Sequence, residues 1–263
     1  MAKAKTTSYI LYEDTLPQEF DGFKIAHISD LHSKPAEGIF EAISDSSPDI
    51  IAITGDLVHD DNQDYGKVYD LIKKLSGICP VYAVTGNHDL WQVNHKKVIS
   101  HLEEAGATFL RSQLAKIERG NSEIAIAGAD DPFSRLPEVI EKNAKNAVSQ
   151  IPEYDGFKIL LFHRANVFDS IKDFGYDLIL SGHMHGGQIR LPLLGGVCAP
   201  TSAILSKGGM LFPKYTAGVY NYKNTSMVVN RGVGNTLPIP RFGNPPEVGI
   251  ITLIAQKETT VLP

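Results

Sequence analysis

Five short apolar runs in this sequence end alike, on side chains able to bind metal ions. Lys24–Ser29 leads into Asp30-Leu31-His32, and Asp49–Thr54 into Gly55-Asp56. Val81–Thr85 leads into Gly86-Asn87-His88-Asp89, Lys158–Phe162 into His163, and Asp177–Ser181 into Gly182-His183-Met184-His185. Alone, each is weak: a histidine beside a strand is more often a hydrogen-bonded structural residue than a ligand, and a glycine before a polar residue can be just a turn. Five strand ends drawing on one small set of ligand types are harder to explain as turn chemistry. In an open α/β sheet, ligands bind beyond the carboxyl ends of the strands, so parallel neighbours would bring these residues together.

Asp30, His32, Asp56, Asn87, His163, His183 and His185 give seven candidate metal ligands. That exceeds the roughly four to six protein groups that one catalytic ion uses while keeping a position open, so two divalent ions sharing a carboxylate fit better. Oxygen and imidazole donors suit manganese, iron or zinc, with magnesium also compatible, and argue against copper or an iron–sulfur cluster. Two divalent cations, two aspartates and a bridging hydroxide would leave the cluster near a single positive charge, which attracts an anion such as phosphate. The chemistry expected is hydrolysis of a phosphoester by metal-bound hydroxide.

The elements that must position these residues read as α/β. Strand-like runs alternate with amphipathic stretches, and two further runs, Ser226–Arg231 and Val248–Ile254, follow late in the chain. Val68, Leu71, Ile72 and Leu75 recur at helical spacing before Gly77. Trp91, His95, Val98, Leu102 and Ala105 do so before Gly106, predicting one helix. No repeat or linker divides the 263 residues, so a single domain spanning 1–263 is expected, with 1–22 as an amino-terminal extension. An apolar loop over 191–222 would lie near the site. Its Leu191–Phe212 stretch carries one charge, Lys207, and fits either a loop packed on the core or a wall for an apolar substrate group.

A formal charge of −5 with no basic block argues against nucleic-acid binding. Cys79 and Cys198 lie far apart, which indicates neither a disulfide framework nor a thiolate metal site. No apolar run reaches the roughly 20 residues of a membrane span, and Met1–Lys5 lacks a signal-like apolar core; a cytoplasmic protein, or one peripheral to the membrane, is expected.

The ordered motifs Asp30-x-His32, Gly55-Asp56, Gly86-Asn87-His88-Asp89, His163 and Gly182-His183-x-His185 resemble the calcineurin-like metallophosphoesterases. The resemblance implies a four-layer αββα sandwich, with two mixed β-sheets flanked by helices. It further implies that Asp30, His32 and His185 hold one metal, that Asn87, His163 and His183 hold the other, and that Asp56 bridges them. His88 would bind the phosphate and protonate the leaving oxygen, with Asp89 or another carboxylate orienting its ring, and Asn87 would share in substrate binding. Met184 stands where a small or hydroxyl residue is usual. The run Gly182–Pro192, with Arg241-Phe242 and Pro246-Glu247, resembles a membrane-proximal bacterial branch that includes a UDP-2,3-diacylglucosamine pyrophosphatase. The substrate implied is a phosphodiester or pyrophosphate, small or lipid-linked, with peripheral membrane association. A phosphomonoesterase is the enzymatic alternative, and a catalytically silent metal-stabilised binding module the non-enzymatic one.

Arg164 and Arg190 follow the histidine motifs and could reach a phosphate with their planar donor forks. Arg231 and Arg241 have a weaker claim. His27 reads as a core or supporting residue, His59, His95 and His101 as structural or solvent-exposed, and Asp130-Asp131 as a helix cap before Pro132.

Overall fold

Ile50–Thr54 and Leu178–Gly182 are buried at every position, as expected of central strands covered on both faces. The computed structural model describes residues 3–59, 64–198, 211–234 and 240–256. One sheet contains β1 (Lys5–Glu13), β2 (Phe23–Ile28), β3 (Ile50–Thr54), β4 (Val81–Val84), β5 (Ala107–Phe109) and, late in the chain, β14 (Glu247–Ala255), in the order β1-β14-β2-β3-β4-β5. The other contains β6 (Gln113–Arg119), β7 (Ser122–Gly128), β8 (Lys158–Arg164), β9 (Leu178–Gly182), β12 (Gly218–Tyr222) and β13 (Thr225–Val229), in the order β12-β13-β9-β8-β7-β6. A two-residue ribbon, β10 (Arg190–Leu191) with β11 (Gly195–Gly196), stands apart from both.

Three apolar cores separate four layers. Ile28, Ile51 and Ile53 pack outward against Ile43 of α1 (Ile39–Ser46), Ile72 of α2 (Gly66–Leu75) and Leu102 of α4 (His95–Glu104). Between the sheets, Ile25, Ile50 and Ala52 meet Ile126, Ile159 and Leu180. On the far side, Leu160, Phe162 and Ile179 pack on Ile140 and Ala144 of α5 (Pro137–Ser149) and Phe168 of α6 (Phe168–Ile171). Helices, two mixed sheets and helices again is the sandwich the family resemblance implies.

The strand directions matter most for the site. β2, β3, β4 and β5 are mutually parallel, as are β7, β8, β9 and β13, so the ends carrying the candidate ligands gather along one edge of each sheet. Within the two sheets, antiparallel pairs are confined to β14 against β2 and to the outer strands β12 and β6.

Three sequence expectations change. Residues 5–13, within the expected extension, form β1, which runs parallel to β14 in register from Lys5 opposite Glu247 to Glu13 opposite Ala255. The expected Trp91 helix is two helices, because Gln92 turns extended (φ −69°, ψ 136°) and ends α3 (Asn87–Trp91) before α4 begins. The expected loop over 191–222 contains the β10–β11 ribbon and ends in β12, while its residues 199–210 lie outside the described part. Among the described residues, no helix is long and apolar enough to cross a membrane.

Candidate metal centre

Each of the two central aspartates has one oxygen held by a backbone amide and the other turned into the site. Asp30 follows β2; its Oδ2 accepts the amide of His183 at 3.1 Å, while Oδ1 is buried without a hydrogen-bond partner. Asp56 follows β3; its Oδ1 accepts the amide of His88 at 2.8 Å. Its Oδ2 lies 3.2 Å from Nε2 of His163 and 3.8 Å from Nε2 of His32. Asp56 thus stands between two sets of imidazoles, one joining His32 after β2 to His185 after β9, the other joining His163 of β8 to His183 after β9.

On one side of it, Nε2 of His32 and Nε2 of His185 are 3.2 Å apart, at 3.8 and 3.6 Å from Oδ1 of Asp30. On the other, Nδ1 of His183 is 3.2 Å from Nε2 of His163. Nδ1 of His163 faces the carbonyl oxygen of Thr54 at 2.7 Å; donating a proton there leaves Nε2 as the ligand nitrogen. Asn87, the first residue of α3, is fully buried with neither side-chain atom hydrogen-bonded. Ligand atoms fall into cation-sized groups of Asp30, His32 and His185, of Asp56, His163 and His183, and of His32, Asp56 and His88. Buried polar atoms without partners are rare in folded proteins, and Asp30, whose Oδ1 is one of them, belongs to a group where a divalent ion would satisfy it. The donor set fits such ions.

The electrostatics agree. Burial holds His32 and His183 well below the usual histidine range and His185 down to about 4, which keeps them in the neutral form that binds metal. Burial opposes charging of His163 too, but the Asp56 carboxylate overrides it and raises His163 to about 10. Asp56 demands a positive charge beside it, and a metal ion would supply one in place of that proton. His27, within β2, is pushed down to about 4 by burial and bonds Thr54 Oγ1 at 2.9 Å through Nε2. It supports the site, as the sequence indicates.

Holding both sheets this close imposes strained backbone. Asp30, His32, Asp56, His183 and His185 all adopt positive φ, between 46° and 72°, unusual for residues other than glycine. Glycine is required where these turns close: within one sheet a Cβ on Gly86 would fall on the Asp56 carboxylate, and between the sheets one on Gly182 would fall on Ser29 and the Asp30 carboxylate.

Other expected site residues take different roles. Both oxygens of Asp89 accept backbone amides, from Val58 at 3.0 Å and Gly86 at 2.8 Å, and burial raises its carboxyl to about 7. Asp89 therefore fixes the start of α3, which carries Asn87 and His88, rather than acting through the His88 ring. Arg164 is not open to a phosphate. It is 1% exposed and bidentate to Asp131, at 2.6 Å from Nε and 3.0 Å from Nη2. Asp131 is thus its counterion; its Oδ1 also accepts the Phe133 amide in a local turn, and the next helix begins only at Pro137. Arg190 donates through Nη1 to the Gly186 carbonyl at 3.1 Å and to Thr216 Oγ1 at 3.3 Å, and so braces the loop that carries His185.

Two residues gain importance. Arg241 reaches Nδ1 of His185 at 3.3 Å while held at 2.7 Å by the Arg231 carbonyl. The ring of His59 lies 4.9 Å from that of His88 and 5.8 Å from that of His32. No local spacing signals either contact: Arg241 comes from a Pro-rich turn far along the chain, and His59 sits three residues past Asp56.

The sequence profile described as calcineurin-like phosphoesterase matches residues 23–187. The chain belongs to that family, and is a metal-dependent phosphoesterase. It is 31% identical to the uncharacterized metallophosphoesterase YkuE of Bacillus subtilis (strain 168), across 95% of this chain and 85% of that protein. It is 29% identical to the phosphodiesterase YaeI of Escherichia coli (strain K12), across 88% of this chain and 82% of the relative. To the UDP-2,3-diacylglucosamine pyrophosphatase LpxG of Chlamydia muridarum (strain MoPn / Nigg) it is 24% identical, across 90% of this chain and 86% of that protein.

Proposed function

We propose that the protein is a dinuclear hydrolase that cleaves a phosphodiester or pyrophosphate. The observation that carries this reading is Oδ2 of Asp56, set between His32 on one side and His163 on the other. In it, Asp30, His32 and His185 would hold one cation and Asn87, His163 and His183 the second, with Asp56 shared between them. Manganese, iron or zinc suits these donors best. Such a pair supplies Lewis acidity toward the phosphoryl oxygens and an activated water.

The chain's own residues do the rest. Asp89 and the Asp56 carboxylate fix the first turn of α3 through the amides of Gly86 and His88. The half-buried His88 ring is then presented at the open side of the cluster, 4.9 Å from the ring of His32. From there His88 donates a hydrogen bond to the phosphate and a proton to the departing oxygen. Asn87, whose amide is otherwise unpartnered, serves both cation and substrate.

Exposed apolar side chains beside this opening favour a lipid-linked substrate and peripheral membrane association. Leu193 and Leu194 project from the turn between β10 and β11, and Phe242 pairs through its backbone with Ile189 at the foot of that ribbon. Leu211 and Phe212, bridged to Cys198 and Val197, extend the same surface. Large apolar side chains gathered in one exposed place mark an interaction site.

The test is to strip the protein of metal, restore one ion at a time, and measure bound metal by elemental analysis alongside hydrolysis of a diester and a monoester that share a leaving group. Two ions per chain and preference for the diester are expected. One ion at saturation, or preference for the monoester, refutes the dinuclear or the diesterase part respectively. Equal activity on a water-soluble head group and on its acylated counterpart refutes the lipid preference.

A further inference from the structure

His59 is the next ring outward from His88. The two imidazoles lie 4.9 Å apart at 36°, and both approach His32, at 5.8 Å from His59 and 4.9 Å from His88. His88 is backed on its other side by Trp91, at 5.0 Å. The rings of His32, His88 and His59 therefore form a continuous imidazole face that runs from the metal-ligand cluster outward.

A histidine left on a surface needs no special backbone. The backbone of His59 is held from two sides, by the very loops that build the site. Its amide donates to Oγ of Ser33 at 3.1 Å, and Ser33 is the neighbour of His32. Its carbonyl accepts Nε2 of Gln92 at 2.9 Å, and Gln92 follows the helix that bears His88. Upstream, Val58 is tied to Asp89, and the amides of His32 and Ser33 donate to the carbonyls of Asp56 and Leu57. The segment from Asp56 to His59 is thus a rigid rail, with the aspartate at its inner end and a half-buried imidazole at its outer end. Among the described residues, none of the metal-sized groups includes His59, which places it beside the candidate ligands.

We infer that His59 is a further substrate-contacting residue, which grips the departing half of the substrate beyond His88. This rests on the phosphohydrolase reading above and deepens it. A phosphoryl group seated at the cluster and touched by His88 directs its leaving oxygen outward along the imidazole face, where an N–H of His59 meets the next acceptor. In a pyrophosphate that acceptor is an oxygen of the second phosphoryl group, and a hydrogen bond to a charged acceptor is stronger than one to a neutral group. Because the contact exists before and during bond cleavage, its loss falls mainly on KM.

The test compares the unaltered protein with His59→Ala and His59→Gln, each reconstituted with manganese, on a dialkyl pyrophosphate and on bis(p-nitrophenyl) phosphate, whose departing group carries no second phosphoryl group. For His59→Ala, a KM on the pyrophosphate raised about 10- to 100-fold is expected from the loss of one charge-assisted hydrogen bond. A much smaller change on the aryl diester, unchanged bound manganese and substantial recovery in His59→Gln, which retains an N–H donor, complete the expected pattern. An unchanged KM on the pyrophosphate in His59→Ala overturns the inference, as does a loss of manganese parallel to the loss of activity. Failure of the unaltered protein to hydrolyse either compound would instead sink the phosphohydrolase reading, and this inference with it.

Discussion

Replacing Asp131 with Ala tests the claim that the buried arginine beside the site is a structural cation. The Arg164 side chain is 1% exposed and that of Asp131 fully buried, joined by bonds of 2.6 and 3.0 Å, and Nη1 of Arg164 has no partner. Removing the carboxylate leaves a buried guanidinium without the countercharge it is paired with. Breaking one side of such a pair costs about 3–5 kcal/mol, whereas replacing both partners with apolar residues of similar volume is often neutral. For a domain of this size each kcal/mol lowers Tm by about 2–4 °C, so Asp131→Ala should melt roughly 6–20 °C below the unaltered protein. Asp131→Ala with Arg164→Met should recover most of that loss. Thermal denaturation followed by circular dichroism, with equal metal loading, measures both. A drop of less than about 2 °C in the single variant, or a double variant as unstable as the single, would refute the assignment and return Arg164 to the list of phosphate ligands.

Other variants probe the remaining links. His88→Ala should lower kcat by about 10²- to 10⁴-fold while bound metal is retained; equal loss of both in elemental analysis and turnover would make His88 a ligand or a structural residue. Gly86→Ala places a methyl group on the Asp56 carboxylate, so bound metal should fall steeply, and an unchanged metal content would show that the turns after β3 and β4 can separate there. Glu13, near the end of β1, is raised to about 7 by burial and by the neighbouring Asp177 and Asp14. Its folded form therefore holds a proton that the unfolded chain gives up near its ordinary value of 4.5, and stability falls as pH rises from about 4.5 to about 7. After allowance for solvent screening, Glu13→Gln should remove on the order of 1–2 kcal/mol of that dependence, read as urea stability at pH 5 and pH 8; an unchanged slope would count against it.

The elements that carry the ligands were legible because each is an apolar run that stops abruptly at a glycine or a ligand, and central parallel strands leave that mark. The seven metal-ligand candidates could be picked out because their strand ends repeat one small set of residue types. Edge strands carry no such mark. β1 exposes Ile10 at 61% and Tyr12 at 63%, and β6 is mostly charged or half-exposed, so neither reads as a strand until its partner is known. The same holds for contacts made in space. Asp131 meets Arg164 because β7 and β8 are parallel neighbours, with Gly128 opposite Leu161. Read locally, Asp131 before Pro132 is a helix cap, and nothing in the spacing of the two residues indicates their pairing.

Five candidate ligand residues at positive φ also explain why local preference and fold disagree at this edge. An αL conformation costs a non-glycine residue roughly 1–2 kcal/mol, so the site holds several kcal/mol of backbone strain together with the buried carboxylates of Asp30 and Asp56. Bonds between the sheets counter it: His183 to Asp30, His163 to Thr54, and Asn230, whose Nδ2 donates to the His27 carbonyl at 2.9 Å. Each joins the end of a strand in one sheet to the end of a strand in the other, so no single strand must sustain the strain alone. The apolar core between the sheets, with Ile25, Ile159 and Leu180 at its centre, therefore does more than fill space. It sets the separation at which the ligand-bearing turns face each other, and metal binding, which relieves the charge at Asp56, should be coupled to the stability of both sheets together.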